Sequence, residues 1–185
     1  MRVKTSWFNE GGERDASETA SVLASTIWRL ADAAIIDLSK ANYDIVTPER
    51  GITLMAEFIA FLAHVSDRLS AQHLDDEARA ALIQALGLRL GEIMEDNVRT
   101  LVQDDGRDFR AEFIDMLNRR AADYATFALA SEPSFPMLRF LGLKIRERME
   151  SHDQPWIMDQ IADIEAPKAF ETVKRTVDGL LGGVS

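Results

Sequence analysis

The stretch Gly51–Leu69, GITLMAEFIAFLAHVSDRL, constrains this chain most, because no other run in it is so apolar. On a wheel of about 100° per residue, Leu54, Phe58, Leu62, Val65 and Leu69 share one side. Met55, Ile59 and Ala63 widen the stripe past half the circumference. A surface helix needs a stripe of only about 100°, so this one must meet neighbours on at least two sides. Glu57 divides the run, and His64, Asp67 and Arg68 close it, whereas a membrane span takes about 20 apolar residues. The expected fold is all-α: a single-domain, mainly antiparallel bundle of six or seven helices around a central apolar helix at about 48–72. Thr47 is a fitting N-cap for that helix, Pro48 a fitting first residue, and Asn42 a fitting residue just past the helix before it.

The central helix keeps one polar stripe, Thr53, Glu57, His64 and Arg68. Glu57 and His64 stand two turns apart on the same face. Such a pair could coordinate a metal or bind a partner, and otherwise it is a solvated stripe.

The remaining segments read as helices that cover this one. A first helix is expected from Ala16 to Ala41, capped at Asp15 or Ser17 and preceded by an arm, residues 1–14, whose Trp7 and Phe8 lie on the bundle; residues 15–185 form the domain. Its seam, Ala20, Ala24, Ile27, Ala31, Ala34, Leu38 and Ala41, recurs at steps of four and three. Small residues let two axes approach closely, so the seam is expected to pack a neighbour within the fold or to form a homodimer. A third helix, 76–102, carries Asn97 on its leucine face, and a fourth, 108–130, carries Arg120 within an arc of Phe109, Phe113, Leu117, Tyr124 and Phe127. A fifth, 136–150, buries Leu138, Leu141, Ile145 and Met149 and turns Arg139, Lys144, Arg146 and Arg148 outward, a cluster suited to an anionic ligand or an acidic partner. His73 reads as a dipole partner at a helix end, and Asp153 as the N-cap of a last helical segment with a break or kink at Ala166-Pro167.

Composition narrows the functions. The 185 residues carry 31 acids against 21 bases, a net charge of −10, and duplex nucleic acid is bound through a basic face, so no nucleic-acid partner is expected. There is no cysteine, which removes disulfides, thiolate nucleophiles and thiolate metal sites. The opening MRVKTSWFNEGGERD has no apolar core of signal-peptide length and no segment reads as a membrane span, so the expected location is cytoplasmic.

The one pattern that resembles an enzyme is Glu92-x-x-Glu95 followed by Glu112-x-x-Asp115. Its spacing resembles the ExxE and ExxD signature of the all-α nucleoside-triphosphate pyrophosphatases, the MazG-like proteins. The resemblance implies Mg2+ held by those four carboxylates, with the metal binding substrate phosphates. On helical wheels, however, Glu92 and Glu95 fall away from the leucine face of their helix, and Glu112 and Asp115 outside the aromatic face of theirs. No His follows a Glu by three residues, which removes di-iron carboxylate bundles. P-loop, GxGxxG, HExxH, GxSxG and EF-hand patterns are also missing.

A non-enzymatic binding or interaction protein is therefore the leading expectation, with no cofactor; the Mg2+-dependent pyrophosphatase is one alternative. A second is a small-anion pocket built from Asn97, Arg120 and Tyr124, with Glu57 and His64 as further candidates. Arg120 could instead reach outward to Asn97 or to an acid.

Overall fold

The computed structural model describes residues 12–45, 47–101 and 106–182, with side chains from Ala16 onward. Among these residues the chain is all-α: α1 (Gly12–Lys40), α2 (Pro48–Ser70), α3 (Asp76–Leu101), α4 (Phe109–Tyr124), α5 (Phe135–Arg146), α6 (Gln154–Asp159) and α7 (Ala166–Leu181). A π-helical stretch, Gln160–Glu165, joins α6 to α7 without interruption.

The central position of α2 follows from its sequence. Leu54, Phe58, Phe61, Leu62 and Val65 are all fully buried, and α2 packs against α1, α3, α4, α5 and α7. Its start is set as expected: Thr47 is extended and its side chain accepts from the Arg50 N–H at 3.2 Å, ahead of Pro48. Asn42 takes the left-handed conformation, φ 67°, that releases the chain from α1. Only part of the polar stripe of α2 is solvated: Arg68 is exposed and Thr53 half-buried. Glu57 and His64 are both buried, because α4 lies across that face of α2.

The alanine seam of α1 is an intrachain surface. Ala20, Ala24, Ile27, Ala31, Ala34 and Leu38 are all buried within one chain, where α1 packs on α2, α3 and α7. This is the first of the two uses expected of the seam, packing within the fold; only Ala41 at its end is exposed. Ala16–Lys40 is the one described helix long and apolar enough to cross a membrane by composition, with a mean hydropathy of 1.2. α1 begins at Gly12 rather than at an Asp15 or Ser17 cap. The arm aromatics Trp7 and Phe8 lie outside the described residues.

Two expectations about the C-terminal half need correction. Of the break or kink expected at Ala166-Pro167, the break does not occur, and the distortion there is a π-helical stretch. The Ala166 N–H bonds to the Ile161 carbonyl, five residues back, so one widened turn takes up the missing proline donor and the helix continues. Asp153 does not cap α6 through its side chain. Its carboxylate accepts instead from the Asp44 N–H at 2.7 Å, tying the α1–α2 connection to the α5–α6 turn. Arg50 reinforces the tie, donating to the Asp44 carbonyl at 3.0 Å and pairing with Glu150. His73 at the end of α2 meets Asp178 of α7 at 3.0 Å.

The fourth helix ends at Tyr124, well short of the expected 130. The Thr126 hydroxyl donates to the Asp123 carbonyl at 2.7 Å, and the Phe127 N–H bonds three residues back to Tyr124. With its last turn tightened and Pro133 ahead, the chain leaves the helical path and closes a short bridge between Leu129 and Pro133. That departure carries Phe127 onto the flank of α5.

Candidate functional site

Three sets of residues were candidates from sequence, and the fold treats them differently. The carboxylates Glu92, Glu95, Glu112 and Asp115 are not drawn together. Glu92 pairs with Arg89 at 2.9 Å and with Arg110 of α4 at 3.5 Å, Glu95 with Arg99 at 2.7 Å, and Glu112 with Arg107 at 3.6 Å. The α3–α4 contact is bridged by a guanidinium where the resemblance called for a metal. Among the described residues no group of three or more potential metal ligands converges. Glu112 and Asp115 are solvent-exposed, as their wheel positions indicated.

The second set does assemble. Glu57, His64, Arg120 and Tyr124 meet where α4 crosses α2. Arg120 forms a two-pronged pair with Glu57, Nε to Oε2 at 2.7 Å and Nη2 to Oε1 at 2.8 Å, and its Nη1 donates to Asp123 at 3.1 Å. The Glu57 side chain is 3 % exposed and that of Arg120 14 %. Hydrogen bonding to Glu57, helped by Asp123, holds the guanidinium charged against the cost of burial. Tyr124 is fully buried beside them, and burial, with the Glu57 charge next, pushes its phenol well above the ordinary range. His64 stacks on the Tyr124 ring with centroids 5.6 Å apart, and burial lowers its pKa.

This arrangement answers the small-anion expectation. The anion that Arg120 holds is the chain's own Glu57, with Asp123 taking the remaining prong. Asn97 belongs elsewhere: its Nδ2 donates to the Ile93 carbonyl one turn back at 2.8 Å. The Tyr124 hydroxyl and His64 Nε2 are buried with no hydrogen-bond partner among the described residues. The cluster is an internal clamp between α2 and α4.

The third set is the basic face of α5, and here the structure builds more than the sequence indicated. An open groove of about 530 Å3 is lined by Phe127, Phe135, Pro136, Phe140, Leu143 and Met158, with Arg139 and Arg146 among them. Pro136 and the α5 side chains come from the face opposite Met137, Leu141 and Ile145, which are buried in the core. Phe127 enters from the connection after α4, its ring 5.4 Å from that of Phe140. Met158 enters from α6. A Cβ on Gly142 would meet the Met158 backbone at 3.3 Å, a tight contact that would press α5 and α6 slightly apart, so glycine favours their close approach.

The groove's charges lack the internal partners that Arg120 has. Arg139 lies over the Phe135 ring at 5.7 Å, and Arg146 reaches the Met158 sulfur at 4.0 Å. Among the described residues neither guanidinium has a carboxylate within ion-pair distance. Lys144, by contrast, is paired with Glu147 at 3.0 Å. Between Phe135 and Arg146 there are three cations and no acid, on a chain whose net charge is −10. Phe127 was expected on a helical core face, and Phe135 and Met158 were not singled out at all. The signal available in sequence was the acid-free run of α5; the two walls come from segments that only folding brings to it.

Set against protein-family models, curated proteins and solved structures, the chain matches none of them.

Proposed function

We propose that this protein is a non-enzymatic binding module whose recognition surface is the α5 groove, and that it takes ligands combining apolar surface with negative charge. One observation carries the reading: Arg139 and Arg146 flank an open apolar groove and, among the described residues, neither has a carboxylate within ion-pair distance. Binding sites typically combine apolar walls with a few placed polar groups that fix orientation. A guanidinium held at the edge of such walls suits a carboxylate or phosphate, because its donors form a planar fork. The acidic remainder of the surface repels anions, so this face stands out electrostatically.

The test uses 1-anilinonaphthalene-8-sulfonate, an aromatic sulfonate that brightens when its rings leave water. Saturable fluorescence with the folded protein, weakened by Leu143→Glu and by the pair Arg139→Gln and Arg146→Gln, is the expected result. Equal brightening in the wild type and the variants would remove the groove from the account.

A further inference from the structure

The shape and charge spacing of the groove specify its occupant more closely than apolar and anionic. We infer that the α5 groove docks an acidic amphipathic helix from another protein, an inference that rests on the binding reading above.

The floor of the groove is one face of α5. Along α5, Phe135, Arg139, Leu143 and Arg146 follow one another at steps of four, four and three, so they form a single row on one face. From Phe135 to Arg146 that row rises about 16 Å at 1.5 Å per residue, which is about three helical turns. Pro136 and Phe140 lie beside the row, between it and the Phe127 wall. The arginines mark one edge of a strip whose middle is apolar.

Charge spacing comes next. Arg139 and Arg146 are two turns apart, about 10 Å along the axis. One carboxylate accepts one guanidinium fork, so two such forks at this distance call for two acids, also two turns apart. A helix with Glu or Asp at positions i and i+7 beside an apolar stripe supplies that pattern, and helix-in-groove docking is a recurring mode of recognition.

Enclosure argues the same way. A small ligand is held by burying most of its surface, whereas this groove is open along its length and Phe135, at one end, is 62 % exposed. An exposed aromatic beside a guanidinium is the kind of anchor that protein interfaces bury. An anionic bilayer also presents negative charge, but the net charge of −10 opposes the approach of the whole protein to it. A helix needs access only to the α5 face.

The experiment measures fluorescence anisotropy with a labelled synthetic peptide of about 15 residues, long enough to hold helix. Its leucines stand at i, i+3, i+4 and i+7, and two glutamates flank the stripe at a spacing of seven. The full-length protein should bind it saturably, and a control peptide with lysine for both glutamates at least about tenfold more weakly, the equivalent of 1.4 kcal/mol. Arg139→Glu with Arg146→Glu should weaken the acidic peptide and strengthen the lysine peptide. That reversal comes from complementary charge and not from lost fold.

Dodecanoate, phosphatidylserine vesicles and light scattering across protein concentration supply the contrary outcomes. Binding of dodecanoate or the naphthalene sulfonate without the peptide would overturn the helix as occupant and leave the groove reading standing. Vesicle binding alone would assign the face to membranes and overturn the inference. A concentration-dependent dimer abolished by Leu143→Glu would make a second copy of this chain the occupant. Failure of every probe would remove both readings together.

Discussion

Arg120 on α4 and Arg139 on α5 belong to the same fold and each lies near aromatic rings, yet they have opposite surroundings. Arg120 is half-buried, its side chain 14 % exposed, and Glu57 and Asp123 of its own chain occupy its donors. Arg139 sits at an exposed groove with only the Phe135 ring beneath it. A guanidinium taken out of water must be matched by an acceptor, and the fold supplies one where solvent is excluded. Where solvent still reaches the charge, no internal match is needed, and the arginine stays free for an outside anion. The difference gives the α2–α4 cluster a structural role and leaves the α5 face open for the binding role proposed for it.

The comparison breaks most readily at Arg120. Arg120→Met strands Glu57 in the core, and urea unfolding should show a loss of about 3–5 kcal/mol. Adding Glu57→Leu should recover most of it, since a buried pair replaced by apolar groups is often neutral. A small loss in the single variant would mean that Glu57 reaches solvent and that the clamp contributes little.

Gly142 tests the other region. Alanine there gains about 1 kcal/mol of helix propensity but presses on the Met158 backbone at 3.3 Å. Overpacking costs about 1–3 kcal/mol, so a net loss of up to about 2 kcal/mol is expected, together with weaker binding of the naphthalene sulfonate as the α5–α6 wall shifts. Gly87→Ala on α3, where nothing lies within 4 Å, should instead stabilise by about 0.5–1 kcal/mol. Equal behaviour at the two glycines would remove the close approach from the account of the groove.

A smaller effect attaches to His64. Burial lowers its pKa in the fold, with Asp67 opposing and Arg68 assisting. The unfolded chain therefore binds the proton more readily, near the ordinary value of about 6.5. Stability from neutral His64 is fully present above that pH and is lost as pH falls toward the depressed folded value. His64→Phe keeps an aromatic ring against Tyr124 and should flatten that part of the pH profile, as read by denaturant midpoints from pH 8 down to pH 5. An unchanged slope would place the titration in another group.

The smallest expected change sharpens the contrast from the opposite side. Arg139→Gln with Arg146→Gln should leave the melting curve within about 0.5 kcal/mol, as is usual for surface sites. A loss approaching that of Arg120→Met would show that these arginines also serve the fold.

Local chemistry made much of the architecture legible. The apolar run of α2 required neighbours on several sides, and Thr47, Pro48 and Asn42 marked boundaries through capping and backbone geometry that operate within a few residues. The outward position of Glu112 and Asp115 was also legible, because helical phase needs no knowledge of the partner helix. Pairings at long range were not. Glu57 and Arg120 are 63 residues apart, and periodicity placed each on a face without saying which faces would meet. The end of α4 was misread for a related reason: 3.6-residue spacing continues through Phe127, while the tight turn that ends the helix depends on where Tyr124 is held.

By itself, then, the amino-acid order determined the all-α class, the central helix and the acid-free basic run of α5, since each rests on spacing and composition along one segment. The tertiary structure decided that the alanine seam is packed within the fold, that Glu92 meets Arg110 across the α3–α4 contact, and that Phe127 and Met158 wall a groove over α5. Those outcomes depend on which helix surfaces come into contact, and contact between distant segments is set by the packing of the whole core.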